Sequence, residues 1–450
     1  MENAPVIIVG AGLAGSLMAI YLAQKGLAVE VFESRPDMRQ VDISAGRSIN
    51  LALSNRGSWA LSEVGVLDQV MQEGVKMPGR MLHAKDGTTQ FAPYGKDDSQ
   101  YINSISRGGL NQLLMTAAEA YEQVTFHFNK RCVDVDLDNA SVTVEDFVSK
   151  EQNTVKGVTI IGGDGANSAV RQAMEQQIKG YQSQVDWLAH GYKELSIPAT
   201  KNQGFALDKN ALHIWPRGAY MLIALPNADG SFTCTLFFPY EGEPSFASLD
   251  TPQKVQAFFE EEFADAVPHL KNLQAEYQAN PVGKLGTLQC YPWVYQGKAA
   301  LIGDAAHAIV PFYGQGMNAS FEDCRVLNAC IDQAGLGNWE AAFGQYQILR
   351  KENGDAIGRL AVENYYEMRD HVADPTFRKK RLLEHQLENT YEDYHSKYSL
   401  VTFQPQVPYA VALDLGNRQD QLLMDLCVNV DDIAAIDLKQ VYQQLKALRS

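Results

Sequence analysis

The sequence predicts an α/β fold in which a Rossmann-like nucleotide-binding domain is interleaved with a mixed β-sheet domain and followed by a C-terminal helical region. Three observations predict it. A glycine-rich run, Val9-Gly10-Ala11-Gly12-Leu13-Ala14-Gly15, stands between an apolar strand and a helix, and a second run, from Gly303 to Asn318, lies far downstream. Between them, residues 189–240 switch to a β-rich pattern broken by Gly, Pro and Asn-Ala-Asp-Gly turns. After residue 320 the chain reads mostly helical. The distance between the two runs implies one ligand site assembled from remote parts of the chain.

The elements follow in order. Residues 6–9, VIIV, make a short buried strand. Gly12 to Lys25 has helical periodicity, with Leu13, Leu17, Ile20 and Leu22 on an apolar side, and Gly26 stops it. Residues 28–32, AVEVF, return as a second strand, completing a β-α-β unit. Residues 50–73 read as largely helical. Residues 75–94, with Pro78, Gly79, Gly87 and Pro93, read as short extended pieces that leave the first domain. Residues 108–122 are helical again, and VTFHF (124–128) and VTII (158–161) are strands separated by a polar hairpin region. HGYKELSIP, ALHIWPRGAYMLIALPN and SFTCTLFFPY predict an antiparallel sheet, residues 253–277 a helical stretch, and Ala299–Ile302 a strand. Helices are expected at Phe321–Gln333, once or twice within Trp339–Phe377, and as a last pair near 416–448 broken around Val428–Asp432; residues 370–377, with Pro375, read as a turn within a helical cap. These elements assign residues 1–74, 101–180 and 283–335 to the nucleotide-binding domain. Residues 75–100 and 181–282 fall to the β-sheet domain, and 336–450 to the cap.

Composition narrows the functional classes. The formal net charge of -16, with no basic stripe, disfavours a nucleic-acid partner. The six cysteines form no CxxC pair and read as buried free thiols in a reducing compartment. No stretch reaches the roughly 18 apolar residues of a transmembrane helix. Residues 416–450 carry Asp, Arg, Lys and Gln throughout, so no membrane anchor is expected there. The N-terminus runs directly into the first strand rather than through a secretory leader, and a cytoplasmic location is expected.

The first glycine run has a physical reading. Gly10 permits a tight strand-to-helix turn, Gly12 lets the backbone approach a pyrophosphate, and Gly15 lets the helix pack closely on the sheet. Free amides at the helix start suit two phosphates. Glu33, at the end of the second strand, can accept hydrogen bonds from an adenosine ribose, which suits FAD or NAD and disfavours a 2′-phosphate.

The downstream runs separate these two cofactors. Gly162-Gly163-Asp164-Gly165 follows a strand, and Asp164 can hold backbone or ligand hydroxyls. Asp304, just after the 299–302 strand, can reach a ribityl hydroxyl. Gly314 and Gly316 clear space beside a planar ring, and the amides of Gly316, Met317 and Asn318 at a helix start can stabilise negative charge on a reduced isoalloxazine. FAD is therefore the expected cofactor. His307 stands without a second ligand at metal spacing, and no metal is expected.

These three motifs resemble those of the FAD-dependent aromatic hydroxylases of the para-hydroxybenzoate hydroxylase type. Within that group the chain is most similar to the branch that hydroxylates L-kynurenine, in its soluble bacterial-type form. The likeness runs from VIIVGAGLAG through FESRPDMR, AGRSINLALSNRG and HGYKELSIP to PFYGQGMNASFEDC and ENYYEMRD, with a weaker match at YSLVTF. The resemblance implies that NADPH reduces bound FAD. The reduced flavin then takes up O2 as a hydroperoxide, whose distal oxygen attacks the aniline ring beside its amino group. It also implies that Arg107, in ISRGGLNQLL, stands near the flavin. Arg80 (PGRMLH), Tyr94 (APYGK), Asn364 and Tyr398 are then the polar contacts of the substrate's carboxylate end. Pro311 to Asn318 becomes the wall where flavin and substrate meet, with Phe312 and Tyr313 lining the aromatic pocket. The group commonly has two Phe residues there, and Tyr313 departs from that pattern. His190, Tyr192 and the 211–238 strands are expected as the pocket floor. The group has no separate nicotinamide domain, and this chain has no second glycine run for NADPH. Oligomeric state stays open. The competing readings are an FAD hydroxylase or epoxidase of another hydrophobic or aromatic substrate, and a non-catalytic FAD-fold binding protein.

Overall fold

The computed structural model describes residues 4–41, 50–97, 99–368, 374–428 and 430–449. At its centre Val6–Val9 pairs in parallel with Val29–Phe32 on one side and Thr159–Gly162 on the other. Val124–His127, Ala299–Leu301 and Val294–Tyr295 complete a six-stranded sheet. All four residues of Val6–Val9 are buried, as a strand covered on both faces requires. The helix Leu13–Gln24 buries ten consecutive residues, Ala14 to Ala23, because the helices Arg107–Glu119 and Gly316–Ala334 both pack against it. Its apolar character all round is therefore a packing requirement.

A seven-stranded sheet forms the second layer, in the order Gly283–Tyr291, Gln182–Ile197, Phe232–Pro239, Met221–Pro226, Ala211–Pro216, Gly79–His83, Thr89–Pro93. Its pairings are antiparallel except Ala211–Pro216 with Gly79–His83, which run parallel. Strand alternation gives it two apolar faces. Trp215, Leu222, Cys234, Leu236 and Phe238 pack under the helices Pro252–Glu262 and Leu273–Ala279, whereas Leu212, Ile223 and Phe237 look into a cavity. Behind the floor, Asp265, His83, His213 and the Asp208 carbonyl form a chain with contacts of 2.6, 2.8 and 2.8 Å. Burial pushes His213 down to about 4, so this ring is neutral. Its Nε2–H donates to Asp208, and its Nδ1 accepts from His83. That chain ties the strand carrying Arg80 to its neighbour.

The structure corrects several expectations. Residues 50–53 are a strand, not the start of a helix, because Asn50–Leu53 pairs antiparallel with Ile102–Ser106; the helix begins only at Asn55. Residues 253–277 divide into two helices at Phe263. The long strand of the second sheet starts at Gln182 and carries a bulge between Trp187 and Gly191. The helix expected from Phe321 starts at Gly316, and the one expected near 416 starts at Tyr409. The expected turn at 370–377 lies partly outside the described residues, and Pro375 opens a helix capped by Asp374. Among the described residues, no helix is long and apolar enough to cross a membrane.

Candidate active site

A cavity of about 1070 Å³ runs between the two sheets, from Glu33 and Gly10 past Asp304 and Gly316 to Arg80 and Tyr398. Its first end is built by glycines. Gly10 has φ +96°, and a Cβ there would stand 2.7 Å from Gly163 O and Asp164 Cα. At Gly15 a Cβ would stand 2.0 Å from Gly10 O, so this glycine closes the helix onto the strand and does not face the cavity. Gly12 does face it, and the nearest atom to a Cβ there is Gly163 O at 4.0 Å.

Glu33 closes this end. Ala11 N–H donates to its Oε2 at 3.0 Å, and Arg35 Nε donates to its Oε1 at 2.8 Å. Burial opposes its ionisation, but the Arg35 guanidinium outweighs burial and holds the carboxyl below its usual range. Asp164 accepts the Ala169 N–H at 2.6 Å through Oδ2, while its buried Oδ1 has no partner. That unsatisfied acceptor lies in the cavity lining, as a ligand hydroxyl would require. Arg107, Asp304, Pro311, Gly316 and Met317 line the middle of the same cavity. The helix starting at Gly316 presents its free first-turn amides there. These groups fit a dinucleotide with a planar ring.

The Asn318 side chain serves the protein itself. Its Oδ1 accepts Ser54 N–H at 3.0 Å and its Nδ2 donates to Ala52 O and Gly314 O at 2.8 and 2.9 Å, so the side chain locks the loop and is absent from the cavity lining. Only its backbone remains for a cofactor.

At the far end, the structure brings Arg80, Tyr94 and Tyr398 together across 318 residues of sequence. The Arg80 guanidinium stands 5.0 Å from the Tyr94 ring and 4.9 Å from the Tyr398 ring, and the two rings stack at 5.4 Å. Arg80 Nε and Tyr94 OH are buried without hydrogen-bond partners. Among the described residues, no ion pair engages Arg80. Asn364 sits behind them, in a small adjoining pocket with Arg80 and Tyr398, and its Nδ2 donates to Phe312 O at 2.7 Å. Phe312 packs against Phe237 at 4.8 Å and Tyr365 at 4.5 Å. Tyr313 stacks on Tyr398 at 5.7 Å; among the described residues its extra hydroxyl meets Lys397 O, at 3.5 Å, which is a long contact. Tyr192 lines the floor as expected. His190 does not: the Tyr365 ring covers it at 5.5 Å, and its Nε2 lies 2.8 Å from Ala219 O.

Sequence reasoning missed Arg56, which is 1% exposed. Its Nε donates to Val401 O at 2.8 Å, and its amino groups reach the carbonyls of Leu400, Gln404, Pro405 and Val407. Its ring partner is Tyr409, at 3.9 Å, and its ionic partner Glu322, at 3.3 Å. Glu322 meets Arg350 at 3.1 Å, Arg350 meets Asp323 at 2.7 Å, and Asp323 accepts from Gly303 N–H at 2.9 Å and lies 2.5 Å from His307 Nε2. Two arginines thus balance two carboxylates along a buried path from the Gly303 turn to the segment after Tyr398. The only sequence signal was Arg56 within the SINLALSNRG stretch. The Arg56→Lys variant keeps the charge and loses the fork. It is expected to cost about 1–2 kcal/mol of stability, read as a lowered midpoint in denaturant unfolding.

The comparisons agree with this geometry. The FAD binding domain family matches residues 3–334. The kynurenine 3-monooxygenase of Myxococcus xanthus (strain DK1622) is 47% identical over 98% of this chain and 95% of its own length. The kynurenine 3-monooxygenase of Dictyostelium discoideum is 45% identical over 99% and 98%. Among solved structures, the tetrameric form of 2-methyl-3-hydroxypyridine-5-carboxylic acid oxygenase superposes with a TM-score of 0.67 at 21% identity, covering 87% of this chain and 99% of that one. This last likeness is one of fold.

Proposed function

Because the chain belongs to the FAD binding domain family, and within it to the kynurenine 3-monooxygenases, we propose that its cavity holds FAD along the glycine end and L-kynurenine at the Arg80 end. The protein is an FAD-dependent monooxygenase that converts L-kynurenine to 3-hydroxy-L-kynurenine. When bound, FAD would supply the redox chemistry by which two electrons from NADPH activate O2, one oxygen atom entering the substrate ring and the other leaving as water.

The residues of this chain then have separable roles. Gly10 permits the turn, Gly12 admits the pyrophosphate, and Glu33 and Asp164 accept hydroxyl hydrogen bonds. Asp304 and Arg107 flank the middle of the cofactor, and the amides from Gly316 to Asn318 stabilise negative charge on its ring. Arg80 binds the substrate carboxylate. Burial raises the Tyr94 and Tyr398 phenols, so both stay protonated and donate to the same group. Asn364 fixes the Phe312 carbonyl and stands beside the amino-acid end. Phe237, Phe312 and the aliphatic floor exclude water around the aryl ring. The ring's own amino group makes the adjacent carbon electron-rich, so no strong protein base is required there. Residues 336–450 act as the cap over a substrate site shared by the other two domains, and six unpaired cysteines suit a cytoplasmic setting.

The observation that carries this reading is Arg80: a largely enclosed cation beside two stacked tyrosine rings, facing a cavity, with no ion pair among the described residues. An amino-acid carboxylate supplies the missing charge. Purified protein given FAD, NADPH, O2 and L-kynurenine is expected to release 3-hydroxykynurenine, identified by mass and chromatography. NADPH oxidation that yields only hydrogen peroxide, with no hydroxylated product, would refute the substrate.

A further inference from the structure

Besides Arg80 Nε, a second polar atom of the seven-stranded sheet faces the cavity unsatisfied among the described residues. Thr235 is 1% exposed, lines the cavity, and its Oγ1 has no hydrogen-bond partner. Its cavity-facing neighbours Met221, Ile223, Leu225 and Phe237 are apolar. Glu194 stands opposite it in register and does not bond it. The strand is paired on both sides, so the hydroxyl serves no backbone need. A buried hydroxyl left unpaired costs about 1–3 kcal/mol, and valine would fill the same space without that cost. A ligand atom that meets the hydroxyl removes the penalty.

We infer that Thr235 is a substrate-contacting specificity residue whose Oγ1 accepts a hydrogen bond from the ring amino group, selecting aryl ketones that carry an ortho amine. The inference rests on the kynurenine reading above and extends it to the ring. The geometry supports this pairing. Arg80 and Thr235 lie on strands three places apart in the sheet, roughly 14 Å across at about 4.8 Å per strand, with Thr235 two residues along its strand from Thr233, the residue in register with Arg80. A substrate anchored at Arg80 by its carboxylate therefore extends its aryl end toward Thr235. Phe237, two residues on along the same face, touches Phe312 at 4.8 Å, so Thr235 stands close to where the floor meets the flavin-side wall. In an ortho-aminophenyl ketone, one amine N–H closes onto the ketone oxygen. The other points outward and needs an acceptor, and a threonine hydroxyl offers two lone pairs. Holding that N–H fixes which edge the ring presents, the free carbon beside the amine rather than the carbon para to it.

The test compares FAD-loaded wild type, Thr235→Val and Thr235→Ser without NADPH. Dissociation constants are read from the perturbation of the flavin spectrum by L-kynurenine and by its analogue lacking the ring amine. In the wild type the analogue is expected to bind about tenfold more weakly than L-kynurenine. Thr235→Val should weaken L-kynurenine by about tenfold and change the analogue by less than about twofold, and Thr235→Ser should recover most of the loss. FAD content should be the same in all three. Equal losses for both ligands in Thr235→Val, or no loss for either while the wild type binds L-kynurenine, overturn the hydroxyl's role alone. A wild type that does not bind L-kynurenine overturns the substrate reading and this one with it.

Discussion

Replacing Gly12 with valine is expected to leave a folded protein that no longer carries FAD. Gly12 has φ -73° and ψ -175°, extended backbone that valine adopts without strain. A Cβ there meets nothing closer than Gly163 O at 4.0 Å, so the surrounding chain does not resist it. The added methyls instead occupy the cavity in front of the helix that starts at Leu13, where the pyrophosphate must approach the free amides. Loss of that approach should weaken FAD by at least about 100-fold, equivalent to about 2.7 kcal/mol. The readout is the flavin absorbance of the purified variant, set against its thermal midpoint. Gly15→Val is the contrasting control. Its Cβ would stand 2.0 Å from Gly10 O, a clash with backbone, so folding itself should fail. A Gly12→Val protein with normal FAD content would remove the pyrophosphate from this turn.

Arg80→Ala should separate the two ends of the cavity. FAD content is expected to stay normal, because Arg80 stands at the opposite end from Gly12 and Glu33. Affinity for L-kynurenine should fall by about 100- to 1,000-fold, or about 3–4 kcal/mol, the scale of truncating one partner of a desolvated charged pair. Without ligand, Arg80 is a largely enclosed cation with an unsatisfied Nε and no ion pair among the described residues, so its loss should not lower the thermal midpoint of the ligand-free protein. An aryl ketone without the amino-acid end should bind wild type and Arg80→Ala alike. Unchanged kynurenine affinity in the variant would take Arg80 out of the clamp.

Local signals were strongest where one residue type has one physical use. The β-α-β start and the Gly303–Asn318 run were legible because glycine spacing, strand and helix coincide within a few residues. Asn50–Leu53 was misread because its strand exists only by pairing with Ile102–Ser106. Asn318 stood in a cofactor motif, yet its side-chain amide serves Ser54 and Ala52, partners more than 260 residues away. The role of Arg56 was not legible because most of its acceptors are backbone carbonyls between Leu400 and Val407, and carbonyls leave no mark in a sequence.

The amino-acid sequence by itself determined the flavin-type α/β architecture, which short-range glycine and strand patterns encode, and it carried the resemblance that points to kynurenine in stretches such as RSINLALSNRG and NYYEMRD. Only the tertiary structure decided which polar atoms face the shared cavity. Arg80, Tyr94 and Tyr398 become one clamp, and Thr235 becomes an orphan hydroxyl. The Asn318 side chain and His190 are drawn away, by the Ala52–Ser54 segment in one case and by the Tyr365 ring in the other. The physical reason is that burial and hydrogen-bond satisfaction are set by contacts between segments remote in sequence, and a side chain's availability to a ligand is what those contacts leave over.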